Sequence, residues 1–187
     1  MKFIIYAAGQ NRRFDNTLDG KPKGLQLVGK KMLIEYGLSW MIKYNPKEII
    51  IVVGYRQELF REILGDEYKG VPIRFIYNKH YNLHGNMSSL WVAREHCDDD
   101  TVFTVSDLIC DRKNIDSFMS NKATSKILVD KNKELFSDSD PVKVSISNKG
   151  ITKILKKIPL TEIDGIAIGI YMLSKDMINL LINKIET

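Results

Sequence analysis

The chain contains little cysteine and little histidine, the residues that hold small domains together through disulfides or metals. Its 187 residues include two cysteines and three histidines. Cys97 and Cys110 lack metal-binding or redox spacing, which is typical of reduced thiols in a cytoplasmic protein. His80 and His84 have the spacing of a helical zinc pair, but they lie in a predicted loop without an acidic partner. We therefore expect no zinc site.

Long apolar runs and low-complexity linkers are also missing. No segment approaches the roughly 20 apolar residues that a membrane-spanning helix requires, and no secretory signal opens the chain. A hydrophobic content of 44% is enough to build a core. These features predict a single domain over residues 1–187, in the cytoplasm and without a membrane partner; a homo-oligomer is compatible with them.

The formal net charge of +5 does not by itself indicate a nucleic-acid partner. Lysines are spread along the chain, acidic residues are interleaved with them, and no basic and aromatic stripe is present. We therefore expect a phosphorylated small molecule as the anionic ligand, and no nucleic acid.

Apolar runs alternate with helical periodicity from residue 1 to about residue 118. Strands are predicted at 2–6, 48–53, 73–77 and 101–105, and helices at 32–43, after residue 55 to about residue 64, and at 87–96. On the first helix we expect one apolar face made of Leu33, Tyr36, Gly37 and Trp40. The alternation predicts an α/β fold, a single Rossmann-like domain whose mostly parallel sheet has helices on both faces.

The pattern changes after residue 118. Short strands are predicted at 125–130, 142–147, 151–155 and 166–173, with a hairpin turn at 148–150. They predict a small antiparallel β extension of the sheet. Ser174 is expected to cap a terminal helix over residues 175–185.

The most informative segment spans residues 6–25. The predicted first strand runs into Ala7-Ala8-Gly9, where small residues and free backbone N–H groups can form an anion nest. The loop that follows places the cations Arg13, Lys21 and Lys23 near this turn, which suits a nucleoside triphosphate. The alternative is a basic surface loop after an edge strand.

This segment resembles the nucleotide-binding loop of the nucleotidyltransferase superfamily, which includes the sugar-phosphate and MobA-like NTP transferases. The shared features are Ala-Ala-Gly at 7–9, an arginine four residues after the glycine, and Pro-Lys-Gly-Leu at 22–25. Asn11 and Arg12 depart from the family pattern of a glycine and a small hydroxyl residue, although asparagine tolerates a left-handed backbone. The resemblance implies a nucleotide-binding loop made of Ala7, Ala8, Gly9, Gln10, Asn11, Arg12 and Lys21.

The resemblance also implies how the cations act. Arg13 would bind the β- and γ-phosphates, and Lys23 would lie nearer the α-phosphate, where charge builds during the reaction. Lys21 either binds the outer phosphates or is solvated. Arg13 and Lys23 are therefore the predicted catalytic residues.

Asp107 follows the predicted strand 101–105. In an open parallel sheet the carboxyl ends of the strands meet at one crevice, so this carboxylate should face the first loop. Mg²⁺ takes one or two carboxylates together with substrate phosphates, and the resemblance assigns Asp107 as the ligand of a Mg²⁺ cofactor. Asp111 either assists or caps a helix.

The stretch 77–90 resembles the phosphocholine-type cytidylyltransferases. The matching positions are Asn78, Tyr81, Asn86, Ser89 and Leu90. The resemblance implies a site for CTP rather than UTP, with base and ribose near Asn78, His84, Asn86 and Ser88. Helix capping is the structural alternative for Asn86 and Ser88.

The acceptor site is the least defined part of the sequence. Tyr81, Trp91 and Tyr171 either line a pocket for a cationic amine through cation–π contacts or pack in the core. Asp164 matches a region that lines the acceptor site in relatives, where a carboxylate can pair with an amine.

Together these resemblances imply a Mg²⁺-dependent cytidylyltransferase that transfers CMP from CTP to a small phosphorylated amine or alcohol, a phosphoamide or a phosphonate, releasing pyrophosphate. Such products serve capsule or surface polysaccharide biosynthesis. Two alternatives stay open: a sugar-1-phosphate nucleotidyltransferase that uses UTP, GTP or dTTP, and a non-catalytic nucleotide-binding domain.

Relatives in the superfamily usually continue for several tens of residues past the last predicted helix. That tail supplies a second acidic metal ligand. The chain is therefore expected to be shortened, or to represent a short version of the family, or to take this ligand from elsewhere.

Overall fold

The computed structural model describes residues 1–10, 20–83 and 85–186, and in these ranges strands and helices alternate as the sequence predicts. The strands are β1 Lys2–Ala7, β2 Leu27–Val28, β3 Lys31–Met32, β4 Ile49–Val53, β5 Glu67–Tyr68, β6 Val71–Tyr77, β7 Thr101–Val105, β8 Lys126–Asp130, β9 Lys143–Ser147, β10 Gly150–Leu155 and β11 Gly165–Leu173. The α-helices are α1 Leu33–Met41, α2 Gln57–Leu64, α3 Gly85–Ala93, α4 Arg112–Ser120 and α5 Lys175–Glu186. None of the described helices combines the length and the apolar character needed to cross a membrane.

The centre of the main sheet is parallel. β1 lies between β4 and β7 and is parallel to both, with Ile4 opposite Ile50 and Tyr6 opposite Val105. β6 continues the parallel arrangement on the far side of β4. All five residues of β4 are buried, as expected for a β-branched run that is covered on both faces.

The order of the parallel strands reverses beside β1. The chain builds outward from β1 through β4 to β6 and then crosses back to place β7 on the other side of β1. Loops that leave neighbouring strands in opposite directions open a crevice at the carboxyl ends of those strands. The fold therefore places a crevice at the ends of β1 and β7.

The second half of the chain adds antiparallel strands, as predicted. β11 runs antiparallel to β7 and also pairs with β8 and β9, and β10 pairs with β9 at the edge of the sheet. The Ser174 hydroxyl accepts a hydrogen bond from the Met177 N–H (3.3 Å) and so caps α5. The predicted fold class is confirmed: a mostly parallel central sheet with an antiparallel extension.

Apolar side chains of the sheet form a core on each face. On β1, Phe3 and Ile5 belong to one cluster, which includes residues of α1, α2 and α4. Ile4 and Tyr6 belong to the other, which includes residues of α3 and α5. The period of two along a strand separates the two sets, and helices cover both faces as the sequence predicts.

Helix α1 is rotated relative to the prediction. Its buried side chains are Ile34, Leu38 and Met41, together with Gly37. Leu33, Tyr36 and Trp40, which were expected to share the apolar face with Gly37, are only partly buried. Because this helix is apolar on more than one side, its periodicity does not define a single face.

Candidate functional site

A cavity of about 160 Å³ lies at the reversal point between β1 and β7. Three segments form its walls: the loop after β1, the 3₁₀ turn Lys23–Leu25 with the end of β7, and the connection from β6 into α3. Its lining residues are Tyr6, Ala7, Ala8, Gly9, Lys23, Gly24, Tyr81, Gly85, Asn86, Ser89, Val105, Ser106 and Asp107. The structure thus brings together the three segments that the sequence singled out.

The loop after β1 presents its main chain to the cavity. Ala7 and Ala8 are buried, whereas Gly9 is exposed. The Ala8 carbonyl accepts a hydrogen bond from the Tyr55 N–H (3.2 Å), which ties the loop to the segment after β4. Among the described residues, no atom lies within 4 Å of a Cβ built on Gly9. A ligand can therefore approach the backbone here, as expected of a phosphate-binding turn.

Several predicted nucleotide-binding residues are not among the described residues that line the cavity. Asn11, Arg12, Arg13 and His84 lie outside the described residues, and their roles stay predictions. Lys21 is exposed and Gln10 is partly buried, and neither is among the lining residues.

Lys23 and Asp107 meet at the cavity. The Lys23 Nζ lies 2.6 Å from the Asp107 Oδ2. Gly24 allows this approach, because a Cβ on Gly24 would lie 2.9 Å from both Cβ and Oγ of Ser106, which precedes Asp107. The Ser106 N–H donates to the Tyr6 carbonyl (3.0 Å) and fixes this end of β7 against β1. Close packing of the turn on the strand end thus places the ammonium on the carboxylate.

The Lys23–Asp107 ion pair is accessible to solvent. The two side chains are 37% and 30% exposed, respectively, so water screens their attraction and the pair adds little to stability. Its importance is positional, because it holds one cation and one carboxylate together on the surface of the cavity.

The cavity suits a magnesium ion that is bound mainly by a nucleotide. Asp107 supplies one carboxylate, of which Lys23 contacts Oδ2. In the described part of the chain, no cluster of three or more histidine, cysteine or acidic side chains could hold a metal by itself. Mg²⁺ needs only one or two protein carboxylates when phosphates supply other ligands. The donor set therefore fits a metal–nucleotide complex.

Asn78 lies behind the cavity wall that is formed by the connection from β6 into α3. Its side chain is fully buried. The Nδ2 amide donates to the hydroxyls of Ser88 (2.9 Å) and Ser89 (3.3 Å), and Oδ1 accepts from the His80 N–H (3.0 Å). Ser88 in turn donates to the Gly85 carbonyl (2.8 Å). The structure places Asn78 and Ser88 behind the cavity surface, whereas the sequence predicted that they contact the nucleotide directly.

Tyr81 lies on the cavity surface, and Gly54 makes room for it. A Cβ on Gly54 would lie 2.5 Å from the Tyr81 Cβ and 2.7 Å from the Ala8 carbonyl oxygen. The Tyr81 N–H donates to the Asn78 carbonyl (3.2 Å). Tyr81 is therefore fixed both by its own turn and by contact with the segment after β4.

Asn86 is exposed on the first turn of α3 and is not its N-cap, because the helix begins one residue earlier, at Gly85. Its side chain lies close enough to Tyr171 to lower the pKa of that hydroxyl. Tyr171 stacks on Phe103 with ring centres 5.7 Å apart, and its ring centre lies 6.4 Å from that of Tyr6. Burial raises the pKa of Tyr171 to about 12. Tyr171 thus packs against the core and is not among the residues that line the cavity.

Two further carboxylates that were considered for the site instead accept hydrogen bonds from backbone N–H groups away from the cavity. Asp111 is the N-cap of α4, where its Oδ1 accepts from the Lys113 N–H (2.8 Å). Asp164 accepts from the Ile146 N–H (2.6 Å) within the antiparallel extension. Neither belongs to the residues that line the cavity. Of the open alternatives for Asp111, the structure shows helix capping.

Sequence reasoning overlooked Tyr6 as a lining residue, and it left Trp91 open between a cation–π pocket and core packing. The guanidinium of Arg94 covers the Trp91 ring at 4.0 Å from its centre, so this face already holds a cation. Tyr6 is almost fully buried and still borders the cavity. The available signal was its place as the last aromatic residue before the small-residue turn.

The strand order and the position of the cavity define an α/β domain of the nucleotide-binding type. Residues 3–136, more than half of the chain, match the MobA-like NTP transferase domain, and the chain belongs to that family. The resemblance of the first loop to this family is thereby confirmed.

Two curated relatives differ in the nucleotide that their names specify. Choline-phosphate cytidylyltransferase of Streptococcus pneumoniae is 36% identical over 95 residues, which cover 51% of this chain and 40% of that protein. UTP–glucose-1-phosphate uridylyltransferase of Haloferax volcanii is 28% identical over 109 residues, which cover 58% of this chain and 44% of that protein. The matched regions span less than half of either relative.

Solved structures support the fold over nearly the whole chain. The inositol-1-phosphate CTP transferase from T. maritima superposes with a TM-score of 0.79 at 20% identity. The match covers 96% of this chain and 72% of that one. At this identity the likeness concerns the fold alone.

Proposed function

We propose that the chain is a Mg²⁺-dependent cytidylyltransferase that transfers CMP from CTP to a small phosphorylated amine or alcohol, a phosphoamide or a phosphonate, and releases pyrophosphate. The observation that carries the proposal is the Lys23–Asp107 pair at 2.6 Å, held at the cavity where β1 and β7 end. A polyphosphate that enters this cavity meets a cation, a metal-binding carboxylate and an open main-chain turn.

The chemistry needs no general base from the protein. A phosphate monoester is largely dianionic near neutral pH. One of its oxygens forms a bond to the α-phosphorus of CTP while the bond from that phosphorus to the bridging oxygen breaks, and pyrophosphate leaves with the electron pair. The barrier arises from bringing an anion to a polyanion, so catalysis consists of positioning and charge neutralisation.

Each segment that lines the cavity has one role in the proposed reaction. Lys23 neutralises charge that develops at the α-phosphate, and the backbone around Gly9 binds the outer phosphates, with Arg13 as a further predicted cation. Asp107 would hold Mg²⁺, which supplies charge neutralisation to the triphosphate when bound. The wall formed by Tyr81 and Asn86 receives the nucleoside.

The choice of CTP is supported by the stretch 77–90 and by the name of the Streptococcus pneumoniae relative. Tyr81, Asn86 and Ser89 of that stretch border the same cavity as the ion pair. Groups on a nucleoside wall can distinguish bases by hydrogen bonding, because a buried polar group left without its partner is costly.

A second candidate is a sugar-1-phosphate nucleotidyltransferase that uses UTP, GTP or dTTP. The match of 109 residues to a uridylyltransferase favours it. The phosphate and metal chemistry is the same in both candidates, so nucleotide and acceptor preference alone separates them.

The test is pyrophosphate release from CTP, UTP, GTP, ATP and dTTP with Mg²⁺, each against phosphoamines, phosphonates and sugar 1-phosphates. Turnover with CTP and a phosphoamine or phosphonate is the expected result. Turnover with another nucleotide and a sugar 1-phosphate would replace the proposal by the second candidate. CTP binding without pyrophosphate release would instead identify a non-catalytic nucleotide-binding domain. Lys23→Met serves as the control for contaminating activity.

A further inference from the structure

We propose that Asn78 is a positioning residue that sets the shape of the nucleoside wall and thereby the nucleotide selectivity. This inference rests on the proposed function. It assigns the discrimination between nucleosides to a buried bridge rather than to a direct contact of Asn78 with the nucleotide.

Asn78 forms hydrogen bonds with three parts of the molecule: the end of β4, its own turn and helix α3. Its N–H donates to the Val53 carbonyl at the end of β4 (2.8 Å), and its carbonyl accepts from the Tyr81 N–H (3.2 Å). Its amide donates to the hydroxyls of Ser88 and Ser89 on α3. Every hydrogen-bonding group of this fully buried residue has a partner.

The residues on both sides of this bridge lie on the cavity surface. Tyr81 borders the cavity at the turn, and Asn86 and Ser89 border it on α3. The distance between the turn and the helix therefore depends on the bonds from Asn78. Gly54 closes the other side of Tyr81 so tightly that the tyrosine has no room to retreat there. A shift of α3 would consequently change the width of the nucleoside wall.

The ion pair on the phosphate side of the cavity is built independently of the Asn78 side chain. Lys23 and Asp107 belong to the turn after residue 22 and to the end of β7, and none of the hydrogen bonds of the Asn78 side chain reaches them within the described residues. Loss of the bridge should therefore weaken nucleoside recognition and leave binding of a bare polyphosphate intact. A general loss of structure would weaken both.

The experiment compares equilibrium binding of CTP, UTP and inorganic tripolyphosphate, all with Mg²⁺, to the wild type and to Ser88→Ala. Ser88 accepts the shorter of the two bonds from Asn78 and does not line the cavity. We expect CTP to bind about 3- to 10-fold more weakly, because the displaced wall loses about one hydrogen bond to the nucleoside. The preference for CTP over UTP should also be smaller. Tripolyphosphate should bind within about twofold of wild type.

Ser145→Ala is the matched control. Ser145 is also buried, and its hydroxyl donates to the Glu162 carbonyl (2.6 Å) in the antiparallel extension. This control should bind all three ligands as the wild type does. Asn78→Asp, which keeps the acceptor for the His80 N–H and loses both amide donors to α3, provides a second variant if Ser88→Ala does not fold.

Two results would overturn the inference alone: unchanged CTP and UTP binding in the folded variant, or an equal loss for nucleotides and tripolyphosphate. A wild-type protein that binds none of the nucleoside triphosphates would overturn the proposed function, and this inference with it.

Discussion

Lys23 and Asp107 come from distant parts of the chain, and their charged atoms lie 2.6 Å apart. The contact exists because Gly24 packs directly on Ser106 and because β7 lies beside β1. Both side chains line the cavity. The pair therefore places a cation and a carboxylate side by side where the proposed function puts the triphosphate, and Asp107 would there hold Mg²⁺.

Replacing Lys23 should impair turnover much more than binding. We expect Lys23→Met to lower kcat by about 100-fold or more, because the charge it supplies matters most in the transition state. CTP affinity should change by less than about fivefold, since backbone groups and other cations still hold the triphosphate. Stability should change by less than about 1 kcal/mol because the pair is solvent-exposed. Pyrophosphate-release kinetics and CTP titration measure the two effects.

Lys21→Met is the matched control, since Lys21 is exposed and does not line the cavity. It should retain turnover within a few-fold of wild type. Equal losses of kcat and CTP affinity in Lys23→Met would assign this lysine to uniform binding.

Asp107→Asn should raise the Mg²⁺ concentration needed for half-maximal activity by about tenfold or more, because an amide is a poorer ligand for this hard cation. Asp111→Ala is the matched control, because Asp111 caps α4 and does not line the cavity. Loss of this N-cap should cost about 1 kcal/mol of stability and leave the Mg²⁺ dependence unchanged. Activity against Mg²⁺ concentration and urea unfolding distinguish the two carboxylates, and a shift of the Mg²⁺ curve in both variants would contradict the assignment.

The two sides of this pair could be predicted because their signals are local. Lys23 belongs to the Pro-Lys-Gly-Leu segment at 22–25, whose role the family resemblance implied, and Asp107 follows an unambiguous buried strand. Parallel topology brings the end of this strand to the same edge as the loop after β1, so the position of Asp107 beside that loop follows from the fold class. The strands 101–105 and 49–53 are recognisable because continuous runs rich in β-branched residues are typical of strands buried on both faces.

The role of Asn78 could not be predicted in the same way. An asparagine at a strand end can face a ligand or turn inward, and only the hydroxyls of Ser88 and Ser89 decide between these orientations. Their position depends on where α3 begins, and helix boundaries are poorly defined by periodicity. Asp164 presented the same ambiguity, since its partner, the Ile146 N–H, belongs to a strand on the far side of a hairpin.

Gly9 and Gly54 should respond differently to alanine. A Cβ on Gly54 would clash with Tyr81 and the Ala8 carbonyl, so Gly54→Ala should lose about 1–3 kcal/mol of stability. A Cβ on Gly9 meets no described atom within 4 Å, so Gly9→Ala should fold with wild-type stability. It should nevertheless bind CTP more weakly, because the methyl group occupies the space through which phosphates approach the main chain.

Thermal unfolding and CTP titration of the two variants provide the measurement, with each variant as the other's control. Wild-type CTP affinity in Gly9→Ala would show that the phosphates lie away from this turn.

Tyr171 should make the protein sensitive to alkaline pH. Burial raises its pKa to about 12 in the folded state, compared with 10.0 for an ordinary tyrosine. Between these values the unfolded chain releases the proton and the folded chain retains it. The stabilising contribution is complete below about pH 10 and falls by about 1.4 kcal/mol per pH unit until the folded group also ionises.

In Tyr171→Phe, the free energy of unfolding should therefore decline less steeply between pH 10 and 12. Urea unfolding across this range measures the slopes, and Tyr36→Phe, which removes an exposed hydroxyl bonded to the Val28 carbonyl, is the control. Equal slopes in wild type and Tyr171→Phe would show that the Tyr171 hydroxyl ionises as readily in the folded protein as in the unfolded chain, and its surroundings would then be far more hydrated than the stack on Phe103 indicates.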